Sequence, residues 1–191
     1  GAVAKGYALN DAEKIFDLIE PFAGYAFNKA HAVCYGTIAY QTAYLKAHHP
    51  AAFMAAVLSA DMDRTDKVVT LIDDCVSGGL VVLPPDVNAS EYRFAVADER
   101  TIRYGLGAVK GVGQAAVEAL VAEREARGPY RSIEDLCRRV DLSRLNKRVF
   151  EALIRSGCCD GFGVNRATLM ARLATAMQAG EPNAWPQRAG Q

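Results

Sequence analysis

Four consecutive residues, Lys110-Gly111-Val112-Gly113, form the first pattern in the chain with chemical meaning. A turn built as glycine–hydrophobe–glycine lets the backbone approach a phosphate closely, because glycine has no side chain. The amides of such a turn, and of a helix that begins at Gln114, then point at the anion. A plain turn between two helices can have the same residue pattern, so the pattern alone is weak evidence for a phosphate site.

Neighbouring residues favour a nucleic acid as the source of the phosphate. With Leu106–Val109 as a short first helix, the turn is typical of a helix-hairpin-helix motif that binds DNA. Binding through amides reads no base, so we expect it to be independent of sequence and sensitive to salt. The basic residues that follow downstream include Arg138, Arg139, Arg144, Lys147, Arg148 and Arg155. The predicted DNA-binding residues are Lys110, Gly111, Val112, Gly113, Gln114, Arg144, Lys147 and Arg148.

A second candidate phosphate site begins at Asn28. Asn28 is a good N-cap, which places Lys29 and His31 in the first turn of a helix, beside the positive end of its dipole. A cation, free amides and an imidazole together suit a phosphate. Tyr35, one turn beyond His31, is either a core residue or a platform for a base. An ordinary helix start with an exposed lysine explains the same letters.

Composition limits the class of protein. The chain has 191 residues, 51% hydrophobic and 23% charged, as in globular proteins. It has no apolar run long enough to span a membrane, and its first residues do not resemble a signal peptide. Net charge is zero, with 22 basic and 22 acidic residues. Residues 1–100 carry an acidic excess and residues 101–191 a basic excess, which indicates either an anionic partner or a solvated helical surface.

Neither the cysteines nor the histidines predict a metal site. The five cysteines contain no C-x-x-C pair, so we expect reduced thiols and no zinc site or disulfide. His48-His49 precedes Pro50 at an expected helix end. Asp61 and Asp63 lie in a turn between helices, where they are expected to act as cap and turn residues.

The periodicity predicts a mainly α fold with a small β element. Pro21 to Asn28 is expected to form a loop, Thr65 to cap a helix, and Ala115 to pack into the core. The predicted helices are 10–20, 29–47, 50–58, 65–77, 106–109, 114–127, 133–139, 146–155 and 165–179, and the predicted strands are 80–83, 93–96 and 101–104. The expected organisation is a helical portion over 1–79, a small β-containing connector over 80–104, a helix-hairpin-helix DNA-binding portion over 105–179, and a linker or tail over 180–191.

Longer stretches of the chain resemble a known family. These stretches are Phe22-Ala-Gly-Tyr-Ala-Phe-Asn-Lys-Ala-His31, Tyr40-Gln-Thr-Ala-Tyr-Leu-Lys-Ala-His-His-Pro50, Phe53-Met-Ala-Ala, Leu83-Pro-Pro-Asp-Val-Asn88 and Tyr104-Gly-Leu-Gly-Ala-Val-Lys-Gly-Val-Gly113. They occur in the order found in the fingers and helix-hairpin-helix regions of bacterial DNA polymerase III alpha subunits, the C-family replicative polymerases. The similarity extends to about Ala179.

The resemblance implies a DNA-directed DNA polymerase, a nucleotidyltransferase of DNA replication. In that family a primer hydroxyl attacks the α-phosphate of an incoming dNTP with the help of two metal ions. Asn28, Lys29 and His31 would face the triphosphate, and the hairpin would grip duplex DNA. The implied partners are primer-template DNA, the incoming dNTP, the sliding clamp and other holoenzyme subunits. The implied location is the cytoplasm, at the nucleoid.

The sequence also departs from the family pattern. Ala26 and Ala30 stand where the family usually has glycine and serine, so a hydroxyl is missing from the triphosphate-facing turn. Nothing in the chain resembles the palm, whose aspartates hold Mg²⁺ in the family. We therefore expect no catalytic residue and no metal ligand here, no cofactor bound by this piece, and no polymerisation by it alone.

Two other functions fit the residues less closely. One is a free-standing, sequence-independent helix-hairpin-helix DNA-binding module whose first 80 residues are a scaffold. The other is an interaction domain whose basic face meets an acidic protein. The Asn28-Lys29-x-His31 pattern favours the polymerase, because a plain DNA binder has no use for it. A replicative enzyme and a lesion-bypass relative are not distinguished by these residues.

Overall fold

The computed structural model describes residues 1–23 and 28–180 of the chain. The described residues form two compact units, Gly1–Tyr44 and Leu45 onward. The predicted class is confirmed, since helices dominate and one small sheet lies between them. Among the described residues, no helix is both long enough and apolar enough to cross a membrane.

The first unit contains α1 (Leu9–Ala23) and most of α2 (Lys29–His48), after a short 3₁₀ helix at Val3–Lys5. The prediction that Pro21 begins a loop is wrong, because α1 continues through it. A proline inside a helix removes one amide donor and crowds the carbonyl four residues before it. Pro21 is exposed in the last turn of α1, where water can satisfy that carbonyl. The predicted loop residues 24–27, Ala26 among them, lie outside the described residues.

Helix α1 carries the predicted apolar face, but this face is exposed. The side chains of Ile15, Phe16, Leu18 and Ile19 are each more than half accessible to solvent. Along α2, the apolar residues Val33, Ile38 and Leu45 are exposed too.

The second unit begins with two helices and a sheet. Helix α3 spans Pro50–Ala60, with Pro50 in its first turn, and α4 spans Thr65–Ser77. Thr65 is the first residue of α4 and not its cap, because the N-cap is Arg64 and no side chain caps the helix. The strands are β1 (Val81–Leu83), β2 (Ala95–Asp98) and β3 (Thr101–Arg103).

Strand β3 lies in the middle of the sheet, parallel to β1 and antiparallel to β2. Strand β2 starts two residues later than predicted. Its expected start, Arg93-Phe94, is held by α3 instead, since the amide of Phe94 donates to Ser59 Oγ over 3.1 Å. Ile102 on β3 is fully buried. The core beneath the sheet consists of Ala51, Met54, Ala55, Leu58, Val68, Cys75, Leu80, Phe94 and Ile102.

The remaining helices surround a larger core. A 3₁₀ helix (Leu106–Ala108) leads to α5 (Gln114–Arg127), α6 (Ile133–Arg139), α7 (Lys147–Arg155) and α8 (Arg166–Gly180), with a 3₁₀ turn at Asp160–Phe162. The predicted bounds of α5 and α6 are confirmed. Four fully buried side chains of this core are Leu106, Leu136, Phe150 and Leu153. In α5, however, Ala116 enters the core and the predicted Ala115 is exposed.

The end of α8 differs from the prediction at one residue. Gly180 was expected to begin a tail, but it is buried and ends α8. A Cβ there would lie 2.6 Å from the carbonyl oxygen of Cys137, so only glycine fits against α6. Residues 181–191 lie outside the described residues. The four-part division of the chain stays a prediction.

The buried thiols of the larger core make stability depend on alkaline pH. Burial raises the pKa of Cys137 to about 12 and that of Cys158 to about 11, and it also raises the pKa of Cys159. Above about pH 9 the unfolded chain ionises these thiols while the folded chain keeps their protons. The unfolded state then binds fewer protons, so the free energy of unfolding falls as pH rises.

We therefore expect chemical denaturation to show falling stability from about pH 9 towards pH 11. The double variant Cys158→Ala/Cys159→Ala should lose less stability over the same range, whatever its stability at pH 7. Equal pH slopes in the two proteins would contradict the assignment of this effect to the thiols.

Candidate nucleic-acid interface

The predicted hairpin connects the 3₁₀ helix Leu106–Ala108 to α5. Val109 and Val112 are buried in the larger core, with 8% and 7% of their surface exposed, while Lys110 between them is exposed. The amide of Val112 donates to the carbonyl of Val109 over 3.0 Å and closes the turn. Two buried anchors on either side of an exposed lysine hold the hairpin backbone at the surface.

The two glycines of the hairpin have different roles. Gly111 has φ of +90°, a left-handed conformation that residues with a Cβ avoid. Gly113 has φ −83° and ψ 158°, which any residue adopts, and nothing lies within 4 Å of where its Cβ would be. Gly111 is therefore needed for the turn itself. Gly113 leaves open space at the start of α5.

This open space lies beside free backbone donors. The amides of Ala116 and Val117 donate to the carbonyl of Gly113 over 3.1 and 3.2 Å. The amides of Gln114 and Ala115 have no acceptor among the residues that the structure describes. The side chain of Gln114 is occupied, because its Nε2 donates to Glu118 Oε1 over 2.7 Å. Any contribution of Gln114 to anion binding therefore comes from its backbone.

Helix α7 brings a basic residue close to the hairpin. A Cβ on Gly111 would lie 3.9 Å from the Cβ of Ala152 in α7. Arg148 is four residues before Ala152, so it lies on the same face one turn away, with Cβ atoms about 5–6 Å apart. Arg148 is exposed, and so is its neighbour Lys147. Arg148 therefore lies one helical turn from the α7 residue that faces Gly111, and its role in DNA binding stays a prediction.

The start of α7 is fixed by a cap that sequence reasoning did not assign. Asn146 Oδ1 accepts a hydrogen bond from the amide of Val149 over 3.2 Å. Arg144 lies in the preceding loop, where its Nε is 3.8 Å from Asp141 Oδ2. Both side chains of that ion pair are more than half exposed. Such a pair is weak, so the guanidinium remains available to another anion.

Several arginines counted as part of the basic surface instead hold the fold together. The side chain of Arg139 is only 12% exposed and pairs with Glu123 and Asp135. Arg124 donates to the carbonyls of Val87 and Ser90, and its side chain is also 12% exposed. The inclusion of Arg139 among the cations that favour DNA binding is therefore wrong: its charge is used inside the protein.

The glycine-containing segment between α7 and α8 is a structural turn. Asp160 accepts hydrogen bonds from both Nε and Nη2 of Arg166, over 2.9 and 2.6 Å. Arg166 also donates to the carbonyl of Arg155 over 3.1 Å. The guanidinium of Arg166 lies across the turn, and a Cβ on Gly157 would collide with it. These contacts fix the connection between α7 and α8.

The start of α2 has the predicted cap. Asn28 Oδ1 accepts a hydrogen bond from the amide of His31 over 3.0 Å. The cap uses one of the amides that the sequence suggested for a phosphate. Within the described residues, the amides of Lys29 and Ala30 have no acceptor. The side chain of Lys29 is exposed in this first turn.

The aromatic residues of this turn are at the surface. The rings of His31 and Tyr35 stack at a tilt of 44°, with centroids 4.3 Å apart. His31 is exposed and Tyr35 is 61% exposed, so Tyr35 is not a core residue. Both rings remain open to a ligand. Among residues 1–23 and 28–180, no group of three or more His, Cys, Asp or Glu side chains could hold a metal ion.

Comparison with known proteins places the hairpin within a larger match. Residues 79–169 match a family described as helix-hairpin-helix motif. All 191 residues align with the DNA polymerase III subunit alpha of Escherichia coli K12 at 50% identity and with that of Vibrio cholerae at 48%. The subunit from Pseudomonas aeruginosa is 50% identical over 96% of the chain. The relatives of this chain are DNA polymerase III alpha subunits.

The match to DNA polymerase III alpha confirms the resemblance seen in the motifs. It includes α1 and α2 as well as the helix-hairpin-helix region, because it covers every residue of the chain. The chain in turn spans 16% of the length of the Escherichia coli and Vibrio cholerae alpha subunits. It aligns with one segment of each of these alpha subunits.

The two hairpin glycines provide a test of the geometry. We expect Gly111→Ala to lower the free energy of unfolding by about 1–2 kcal/mol, because alanine must adopt a left-handed conformation. Gly113→Ala should change stability by less than about 1 kcal/mol, since its backbone is extended and its surroundings are empty. Urea denaturation of both variants measures this. Equal losses at the two positions would contradict the described turn.

Proposed function

We propose that this chain is a segment of a replicative DNA polymerase that grips duplex DNA through residues 105–179 and contacts the incoming dNTP at the start of α2. The proposal rests chiefly on one observation: free amides of Gln114 and Ala115 lie at an exposed, glycine-opened helix start inside a chain 50% identical to polymerase subunits. Both the exposed geometry and the relatives support the same ligand chemistry.

In this proposal the hairpin holds the duplex by its backbone. A phosphate approaching over Gly113 receives hydrogen bonds from the two first-turn amides of α5, and the helix dipole favours its charge. Lys110 and Arg148 add cations on either side of the turn. None of these groups reads a base, which suits an enzyme that must hold any sequence it has copied.

At the start of α2, Lys29 would neutralise triphosphate charge and His31 would donate a hydrogen bond. Asn28 fixes the turn that presents them. Tyr35, already stacked with His31, would offer its exposed face to the sugar or base. Groups placed before the reaction stabilise developing charge without reorganising, so this turn would contribute to positioning and electrostatics.

The chemistry of phosphoryl transfer would come from elsewhere in the parent enzyme. The described residues do not fit a metal site, so we propose that Mg²⁺ is held by other parts of the polymerase. We further propose that this piece alone does not extend a primer, which a primer-extension assay with dNTPs and Mg²⁺ tests directly. The sliding clamp and other holoenzyme subunits would be partners of the parent enzyme at the nucleoid.

A free-standing helix-hairpin-helix module explains less. Such a module requires only the region around residues 79–169, whereas identity to polymerase subunits extends over the whole chain. An exposed, capped helix start bearing Lys29 and His31 has no use in that alternative. The free amides of the hairpin argue against an acidic protein as the partner, because they suit a compact oxyanion in contact with the backbone.

We expect the chain to bind duplex DNA with an affinity that falls steeply between about 50 and 200 mM salt. Gly113→Val should weaken this binding about tenfold or more, because the new side chain fills the space through which phosphate reaches the amides. Fluorescence anisotropy with a duplex of random sequence measures both effects.

Gly36→Val is a matched control, because it makes the same substitution at a glycine of α2 where nothing lies within 4 Å of the Cβ position. Circular dichroism should show unchanged helix content in both variants. A flat response to salt, or wild-type affinity of Gly113→Val, would remove the hairpin from the DNA site.

In a complete polymerase, the substitution equivalent to Lys29→Ala should raise the apparent KM for dNTP or lower kcat, with primer-template affinity unchanged. The reason is that Lys29 would compensate triphosphate charge without touching the duplex. Steady-state kinetics at varied dNTP concentration separates these effects. Wild-type constants would place Lys29 outside the nucleotide site.

A further inference from the structure

A second concave basic surface lies at the opposite end of α5 from the hairpin. It is a cleft of about 450 Å³ between the last turn of α5 and helix α6. Its rim is formed by three exposed arginines, Arg127, Arg131 and Arg138. None of the sequence patterns indicated this cleft, because its residues come from two helices and the connection between them.

The wall of the cleft is rigid. Arg139 donates to the carbonyls of Gly128 and Glu123 over 2.7 and 3.2 Å, and its guanidinium lies 4.5 Å from the centre of the Tyr130 ring. The hydroxyl of Tyr130 donates to the carbonyl of Leu120 over 2.7 Å. Burial raises the pKa of Tyr130 to about 12. The connection between α5 and α6 is therefore held in one conformation.

The charge of the cleft is positive even after its ion pairs are counted. Arg139 shares Glu123 with Arg127, and it shares Asp135 with Arg138. The pairs of Arg127 and Arg138 are long, 3.4 and 3.7 Å, and both arginines are more than half exposed. Two carboxylates thus serve three guanidinium groups.

Arg131 adds a further unbalanced charge. Its guanidinium has no ion-pair partner among the described residues, and only its backbone amide bonds to Asp135, over 3.1 Å. A further carboxylate of α6, Glu134, has its pKa lowered by a hydrogen bond from Ser132, by its own backbone amide, and then by Arg172 and Arg138. Since Glu134 is engaged with these neighbours, the cleft keeps a net positive charge available to a ligand.

The lining indicates which anion fits. Of the described residues that line the cleft, Pro129 is the only apolar one and none is aromatic. Protein interfaces depend on buried aromatic and aliphatic anchors, which this cleft does not offer. Guanidinium forks match the paired oxygens of a phosphodiester. The chemistry therefore favours a nucleic-acid backbone over an acidic protein.

We propose that this cleft is a second phosphate-backbone contact for nucleic acid, with Arg131 and Arg138 as the binding residues. Helix α5 has 14 residues, so the cleft lies about 20 Å along the helix from the hairpin. One helix then carries a phosphate contact at each end, by amides at its start and by arginines beyond its end. This inference rests on the proposed function, because it takes the hairpin ligand to be DNA.

The test is binding of the full chain to a 30-base-pair duplex of random sequence, as a function of salt. We expect Arg131→Gln/Arg138→Gln to lower affinity about threefold to tenfold at low salt, and to reduce the slope of log K against log salt by about 2, as loss of two phosphate contacts requires. Both side chains are exposed, so thermal melting should be close to that of the wild type.

The matched control is Arg64→Gln/Lys67→Gln, which removes two exposed cations from the start of α4. It should leave affinity within about twofold and the slope unchanged. An equal loss in this control would overturn the proposal, because the effect would then reflect total charge.

Other outcomes separate the cleft from the hairpin. If Gly113→Val abolishes DNA binding while the cleft variant binds like the wild type, the cleft does not bind DNA and the proposed function stands. If the cleft variant binds DNA weakly and Gly113→Val binds it normally, the hairpin is not the DNA contact and the assignment of the cleft stands. A cleft variant that loses binding to a polyglutamate peptide but keeps its affinity for duplex would make the partner an acidic protein and overturn the proposal.

Discussion

Every α-helix begins with amides that its own carbonyls cannot satisfy, and the account of this protein depends on where two of them point. At the start of α5, the amides of Gln114 and Ala115 are at the surface because Val109 and Val112 anchor the hairpin from below. A glycine with positive φ makes the turn possible, and the bare backbone of Gly113 leaves room for an oxyanion. The larger core is what holds this helix start in place.

The basic side chains matter less to this site than the geometry of its backbone amides. The basic excess of the second half indicates either an anionic partner or a solvated helical surface, but the fold uses part of that charge internally. Arg124, Arg139 and Arg166 tie helices to loops through carbonyl and carboxylate acceptors. The described cations that remain for a ligand include Lys110 and Arg148 in the hairpin region and Arg131 at the cleft.

Local sequence predicted much of the fold, because helix periodicity, caps and glycine turns act over a few residues. The bounds of α5 and α6 and the Asn28 cap follow from such signals. Two of the errors have non-local causes: Phe94 is held by Ser59 from α3, and Arg139 is enclosed by residues of α5 and the connection after it. Gly111 lies against Ala152 of α7, one helical turn from Arg148. These two residues, Gly111 and Ala152, are 41 positions apart, so no local sequence pattern could predict their proximity.

The most direct test observes the amides themselves. Titration of the ¹⁵N-labelled chain with a short DNA duplex, followed by nuclear magnetic resonance, reports on each backbone N–H separately. The account predicts that the resonances of Gly113, Gln114 and Ala115 move early and together, and that they return when salt displaces the DNA. Saturable binding of the duplex with these three resonances unmoved would contradict the account, because phosphate would then be held by some other part of the protein.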